Sequence, residues 1–260
     1  MSVDAFRELA RERLDLPVPE FHSRWLEGQL MAISRQWGYP DEDSLIVALR
    51  SLEGSSELWR DVIHAITVHE TSWLRNSEPL KQAIAAFGSH LSDLRILSLG
   101  CAYGQEAYAA FLIARDIHPG ASIEVEGIDL SPRCIEAARS GRYPLTPDFK
   151  DVLLYLRDGD GEIFNAYYQF SEIIRSKVSF RTGNALDLWV GGHASFDLIL
   201  CQNCLTYYEQ SVREQVASNL VDSLEAGGLL VFAGAELLGA RPKGSIPLSD
   251  EWPQIFVKEF

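Results

Sequence analysis

Positive charge is in short supply: 23 Lys and Arg stand against 37 Asp and Glu in 260 residues, a formal net charge of −14. A surface that tracks a phosphate backbone needs clustered bases to displace counterions, so the composition argues against nucleic acid as a partner. Long apolar runs are also missing, none approaching the roughly 20 residues of a membrane span. The opening stretch "MSVDAFRELARERLDL" scatters charges where a signal peptide would carry an unbroken apolar core. A cytoplasmic protein without membrane insertion is therefore expected. Cysteine is scarce, and Cys101, Cys134, Cys201 and Cys204 fall in or beside segments that read as strands or a buried helix, which suits reduced, packed thiols. Cys201 and Cys204 form a CxxC, but a zinc site usually needs a second ligand pair, and none is spaced for one. No nucleophile triad, no metal set, no internal repeat and no low-complexity tract stands out.

What is present is a core-forming composition, 47% hydrophobic, sufficient for one large α/β domain and a smaller helical one. Residues 1–90 show helical periodicity and no convincing strand. Leu58, Val62 and Ile66 recur every four residues, with Ser55 or Ser56 as a cap, and "DEDSLIVALRSLEG" opens on acids and closes on Gly. From residue 91 onward short apolar runs alternate with helix-like stretches: "LRILSLG", "SIEVEGIDL", "VSFRTGN", "FDLILCQN", "GGLLVFAG" and "QIFVKEF". That alternation predicts an α/β fold, a doubly wound, mostly parallel, Rossmann-like sheet preceded by the small all-helical domain. Residues 141–177 break the rhythm and read as a small insertion or an irregular excursion.

The first strand runs into "LGCAYGQEAYA", a Gly loop that is not GxGxxG and carries Glu106 where a pyrophosphate would want only backbone N–H groups. Asp129 closes the second strand, where an acid can accept both hydroxyls of a ribose. Asn184 ends the third strand, and Asn203 the fourth. Four polar residues from four strand ends suit a nucleoside without a pyrophosphate but with cationic groups that a carboxylate can hold, which describes S-adenosylmethionine. Each residue also has a plain reading: Glu106 as a first-turn acid complementing the helix dipole, Asp129 as a helix cap, Tyr207 and Tyr208 as packing beneath the sheet edge.

Taken in order, "HETSWLRN", "LGCAYGQEAYA", "GIDLSPRCIEAARSGRY", "FRTGN" and "FDLILCQNCLTYYEQ" resemble the CheR family, S-adenosylmethionine-dependent methyltransferases that esterify glutamates on bacterial chemoreceptors. The resemblance runs from about residue 65 to 236. It implies that the helical domain lends the segment "HETSWLR", similar to the family's NxTxFFR, to the cofactor site, so that His69, Thr71 and Arg75 contact S-adenosylmethionine. It further implies cofactor roles for Gly100, Glu106, Asp129, Asn184, Ala185, Asn203 and Cys204, and near the reaction for Arg75 and Tyr207. The expected partner is a chemoreceptor-like or other signalling protein.

The sequence departs from the family pattern in places. His69 stands where the family has Asn, Trp73 and Leu74 replace a Phe pair, and "GQEAYA" lacks the first acid and the Pro of GEEPYS. The Arg that the family supplies before its first strand is matched here only by Arg95 or Lys81. Residues 1–90 hold 9 Lys and Arg against 14 Asp and Glu, a balance of −5, which opposes docking on acidic receptor helices. The segment 141–177 corresponds to a small β-subdomain that in some members grips a receptor tail. Alternatives are a non-catalytic S-adenosylmethionine-binding adaptor and a methyltransferase with another substrate.

Overall fold

The structure is a computed structural model that describes all residues except 1, 15, 17, 19–21, 187–195, 206–207, 235, 237–240 and 260. Four helices come first: α1 (Ser2–Leu14), α2 (Ser23–Gln36), α3 (Glu42–Ser51) and α4 (Glu57–Ile66). Local chemistry starts them. Asp41 accepts from the Ser44 N–H ahead of α3, and Ser56 accepts from the Trp59 N–H ahead of α4. The expected stripe of α4 is buried at Leu58, Val62 and Ile66, joined by Trp59 and Ile63. Trp59 is fully buried, with its indole N–H donating to the Leu49 carbonyl at 3.1 Å. A side chain of this size removes about 4–6 kcal/mol worth of apolar surface from water. The core of these helices runs from Phe6 to Ile66.

A fifth helix, α5 (Ser77–Ala85), belongs to a different core. Its Leu80, Ala83 and Ile84 pack with the strands that follow. Those strands alternate with helices: β1 (Asp93–Leu99), α6 (Gln105–Ile117), β2 (Ser122–Asp129), α7 (Pro132–Ser140), then β6 (Val178–Thr182), β7 (Phe196–Cys201), α9 (Gln210–Ser223) and β8 (Leu224–Phe232). Ser131 caps α7 by accepting from the Cys134 N–H, and Pro132 supplies the first turn. β9 (Ser245–Pro247) and β10 (Ile255–Lys258) finish a seven-stranded sheet in the order β6-β2-β1-β7-β8-β10-β9. The first five strands of that order are parallel, and the last two join antiparallel. The α/β, mostly parallel sheet expected from the alternation is therefore present, with an antiparallel edge.

The order fixes where a ligand can bind. From β1 the chain goes to β2 and β6 on one side, then returns to β7 and β8 on the other, so β1 and β7 part at a topological switch point. In open parallel sheets the helices leaving such a pair diverge and open a crevice at the carboxyl ends of the strands.

The segment 141–177 is a built element. β3 (Arg142–Pro144), β4 (Gly161–Phe164) and β5 (Tyr167–Phe170) form an antiparallel sheet in the order β3-β5-β4, with a 3-10 helix (Pro147–Tyr155) before β4 and the short α8 (Glu172–Arg175) after β5. β4 and β5 pair Phe164 with Tyr167 across a two-residue turn. Both turn residues, Asn165 at φ 47° and Ala166 at φ 61°, are left-handed, the conformation that matches the twist of a hairpin. "IFNAYYQF" is thus two strands and their turn.

Candidate active site at the switch point

Gly100 follows β1 and Asn203 lies two residues beyond β7. Both line two adjoining cavities at the carboxyl rim of the sheet. Gly100 sits at φ 71°, and a Cβ there would fall 2.9 Å from the Cys204 Cβ, so the position needs glycine both for its backbone and for the approach of the neighbouring loop. Asn203 is itself left-handed at φ 60°, a conformation Asn tolerates better than most residues.

The first cavity is largely apolar. Leu16, Val18, Trp25, Ile66, Leu130 and Tyr208 line it with His22, Thr67, His69, Asp129 and Cys204. Asp129 is buried, and its two oxygens accept from the Ala102 N–H at 2.9 Å and the Ser131 N–H at 2.8 Å. The acid therefore braces the Gly loop and starts α7 at once, and each oxygen keeps a second lone pair for a ligand hydroxyl. Burial pushes its pKa up, against those two N–H donors. His69 is held by its neighbours: Nε2 lies 2.9 Å from the His64 carbonyl and 2.9 Å from Thr67 Oγ1, and Nδ1 lies 3.2 Å from Cys134 Sγ.

The second cavity is the more polar of the two. Thr71, Arg75, Asn76, Glu106 and Gln202 line it with Gly100, Cys101, Ala102 and Asn203. Glu106 sits in the first turn of α6, is half-buried, and accepts from Ser98 Oγ at 2.6 Å. Burial pushes its carboxyl up to about 7, while the Ser98 hydroxyl and the charge of Arg75 pull it down. Arg75 follows Leu74 and precedes Asn76, both left-handed at φ 53°. Two such non-glycine residues in a row of three cost on the order of 1–3 kcal/mol each, and strain of this kind concentrates at functional sites. Asn76 Nδ2 donates to Gln202 Oε1 at 3.0 Å, which leaves Gln202 Nε2 buried with no partner among the described residues while its residue faces the cavity.

The two halves fit S-adenosylmethionine. An apolar slot with a two-oxygen acceptor suits a nucleoside, and a polar one with a carboxylate, a guanidinium and an orphaned amide donor suits an amino-acid end.

Of the residues expected from sequence, His69, Thr71, Arg75, Gly100, Glu106, Asp129, Asn203 and Cys204 all line one cavity or the other. Asn184 does not. Its Nδ2 donates to the Leu14 carbonyl at 2.6 Å, its Oδ1 accepts from Leu186, and it lines a third cavity with Arg13, Leu130 and Gly183. Ala185 is packed with the apolar residues under the rim. Tyr207 lies outside the described residues. Neither of these two cations reaches the cleft: Arg95 is the third residue of β1, toward the end opposite the rim, and pairs with Glu225, and Lys81 pairs with Glu78 on α5.

Sequence reasoning missed three residues. Gln202 and Asn76 form the amide pair just described. Glu236, after β8, is fully buried and accepts from the Leu205 N–H at 2.9 Å and the Ala233 N–H at 3.0 Å, tying the loop that carries Asn203 to the end of the next strand. Its one signal was an acid directly after a buried strand.

A family model described as "CheR methyltransferase, SAM binding domain" matches residues 69–249. Among known proteins, the chain is 30% identical over 259 residues to "Probable biofilm formation methyltransferase WspC" of Pseudomonas aeruginosa, covering 95% of this chain and 60% of that one. It is 26% identical over 239 residues to "Chemotaxis protein methyltransferase 1" of the same organism, covering 84% of this chain and 83% of that one. Among solved structures, S-adenosylmethionine-bound CalS10, an amino pentose methyltransferase from Micromonospora echinaspora, is 18% identical with a TM-score of 0.38, over 62% of this chain and 50% of that one. The chain spans about 60% of the length of the WspC relatives it matches. The switch-point cleft, the motif order and a match covering most of the sequence agree: the chain belongs to the CheR methyltransferase family, and S-adenosylmethionine is its cofactor.

Proposed function

We propose that the chain transfers a methyl group to glutamate side chains of a chemoreceptor-like signalling protein. The observation that carries this reading is the division of one cleft into an apolar half around Asp129 and a polar half around Glu106 and Arg75, meeting at Gly100 and Asn203. When bound, S-adenosylmethionine supplies an electrophilic methyl carried on a sulfonium.

The chain's part is orientation and exclusion of water. Asp129 receives the ribose hydroxyls on its free lone pairs. Glu106, ionised, meets the ammonium, and Arg75 and the Gln202 amide meet the carboxylate. Cys204 and Gly100 bring two loops close enough that the nucleoside is gripped by backbone. A glutamate substrate, with a reference pKa of about 4.3, is already ionised at neutral pH and needs no general base. Bringing it in line with the methyl is then the main barrier-lowering act, and loss of opposite charges in the transition state favours a dry site. Tyr207 is proposed to border the path of the methyl.

Residues 1–90 and 91–260 are proposed as the two functional units, with the helical core ending at Ile66 and residues 67–90 delivering Thr71 and Arg75 to the cleft. The negative balance of residues 1–90 favours a substrate face that is not itself acidic. The names of the relatives divide between chemotaxis and biofilm formation, so the receptor served is sought among signalling proteins of both kinds.

Calorimetry with S-adenosylmethionine and its demethylated product tests the cleft. A radiolabelled methyl assay on receptor fragments, scored for base-labile esters, tests the chemistry. Tight cofactor binding with no ester on any receptor fragment, and label instead on a small molecule or none at all, would refute the protein-glutamate assignment while leaving the cofactor site intact.

A further inference from the structure

His64 on α4, His69 in the segment that follows and Cys134 on α7 come together from three parts of the sequence whose spacing is no known motif. One ligand-type atom from each lies within 4.8 Å of the other two. Cys134 Sγ is 3.2 Å from His69 Nδ1 and 3.9 Å from His64 Nδ1. Two atoms holding one tetrahedral zinc ion, with Zn–S near 2.3 Å and Zn–N near 2.0–2.1 Å, are about 3.5 Å apart, so the observed separations straddle the required one.

The tautomers point the right way. His69 Nε2 is 2.9 Å from the carbonyl of His64, and a carbonyl only accepts, so the proton is on Nε2 and the Nδ1 lone pair faces Cys134. This is the outer contact that orients metal-binding histidines in general, a ring N–H fixed on a backbone carbonyl. His64 Nδ1 is 3.0 Å from Ser131 Oγ, whose hydroxyl can rotate to donate, and a metal bound at that nitrogen takes the place of this hydrogen bond. His64 is half-buried. Tyr103 stands edge-on to both rings on the open side.

We propose that His64, His69 and Cys134 form a binding site for a zinc-class divalent cation, with a hydroxyl or water as fourth ligand. The donor set, two imidazoles and one thiolate, selects a borderline-soft transition metal over magnesium or calcium, which take oxygen ligands. On capture the Cys134 S–H bond breaks and the S–metal bond forms. One proton per ion goes to solvent, the neutral imidazoles give lone pairs, and nothing is oxidised or reduced. The two rings are stacked at present, centroids 4.3 Å apart and 8° from parallel. A metal lies in the plane of each imidazole that holds it, so capture turns one ring about its Cβ–Cγ bond. The ion would pin α4 to α7, and His69 places it beside the Asp129 half of the cleft.

The test uses the tag-free, metal-stripped full chain in a phosphine reductant, titrated with Co²⁺ alone. The expected result is saturation at one equivalent, a thiolate-to-cobalt charge-transfer band, tetrahedral visible bands, and displacement of both by Zn²⁺, which binds such sites more tightly than Co²⁺. Cys134→Ser abolishes the charge-transfer band and weakens uptake at least tenfold, His64→Gln weakens uptake with the band retained, and Cys201→Ser, at a buried cysteine lining neither cavity, changes neither. Near-UV circular dichroism and calorimetric cofactor binding establish that each variant is folded. No uptake at micromolar Co²⁺, uptake without the thiolate band, or a folded Cys134→Ser that binds as tightly as the parent would overturn the proposal. None of these readouts depends on methyl transfer.

Discussion

On the Asp129 side of Gly100 the polar groups of the cleft are already committed to the protein's own backbone, whereas on the Glu106 side they are not. Asp129 holds two N–H groups, and His69 is engaged at both ring nitrogens. Across the divide, among the described residues, Glu106 has one hydroxyl partner and Gln202 Nε2 has none. The first half is rigid before the ligand arrives, and its contribution is shape with a few spare lone pairs. The second half stores electrostatic tension that a cationic ligand relieves. A ligand shared between them is positioned by one half and drawn in by the other.

Three experiments press on that contrast. The largest effect is expected where the halves meet. Gly100→Ala would place a methyl against Cys204 at a left-handed φ, a combination of strain and overpacking costing roughly 2–5 kcal/mol. Calorimetric S-adenosylmethionine binding should fall by on the order of 100-fold or more, with a lower urea midpoint; unchanged binding would mean that the loops separate freely and the divide is not rigid. Next comes Asp129→Ala, expected to weaken cofactor binding by about 1.5–3 kcal/mol through lost ribose contacts. Because the same carboxylate braces Ala102 and Ser131, the apo chain should also lose stability in urea, and Asp129→Asn, which keeps one acceptor, should recover part of it. A variant that loses affinity with no change in apo stability would show that the brace is unimportant.

The smallest effect is a pH dependence confined to the other half. Glu106 is raised to about 7 by burial, and a cationic ligand binds its ionised form. Below pH 7, affinity should therefore fall by up to about tenfold per unit. The apo fold shows the opposite sign, since it prefers the protonated carboxyl and loses stability as pH rises from about 4.5 toward 7. Glu106→Gln should flatten both profiles, and a calorimetric pH series on the two proteins decides it. If the parent profile is flat, the tension assigned to this half does not exist.

How far the molecule could be read from its residues follows the same division between local and distant causes. Six of the seven strands of the large sheet were legible, five of them as short apolar runs closed by Gly, Asp or Asn, while the three-residue β9 was not, and α4 and α7 were legible because their caps are serines. Gly100, Glu106, Asp129 and Asn203 were legible because parallel strands deliver their ends to one rim. Asn184 was not, since a strand end states which rim a residue reaches but not which way its side chain turns, and here it turns to Leu14. The small sheet was expected from the family resemblance and not from its own residues, because its turn is Asn165–Ala166, and alanine gives no warning of a left-handed backbone. Gln202 and Glu236 escaped because their partners lie 126 and 31 residues away.

Trp73 closes the span between these regions. It is buried edge-on against Tyr143 and Phe149 and beside Phe170, all from the small sheet and its 3-10 helix, and its backbone N–H donates to Asp148. Two residues to one side is Thr71, and two to the other is Arg75, both lining the polar cavity. The indole thus works as an anchor bolt through a shared wall: a pull on the little sheet would be felt on the far side as a change in where that guanidinium rests.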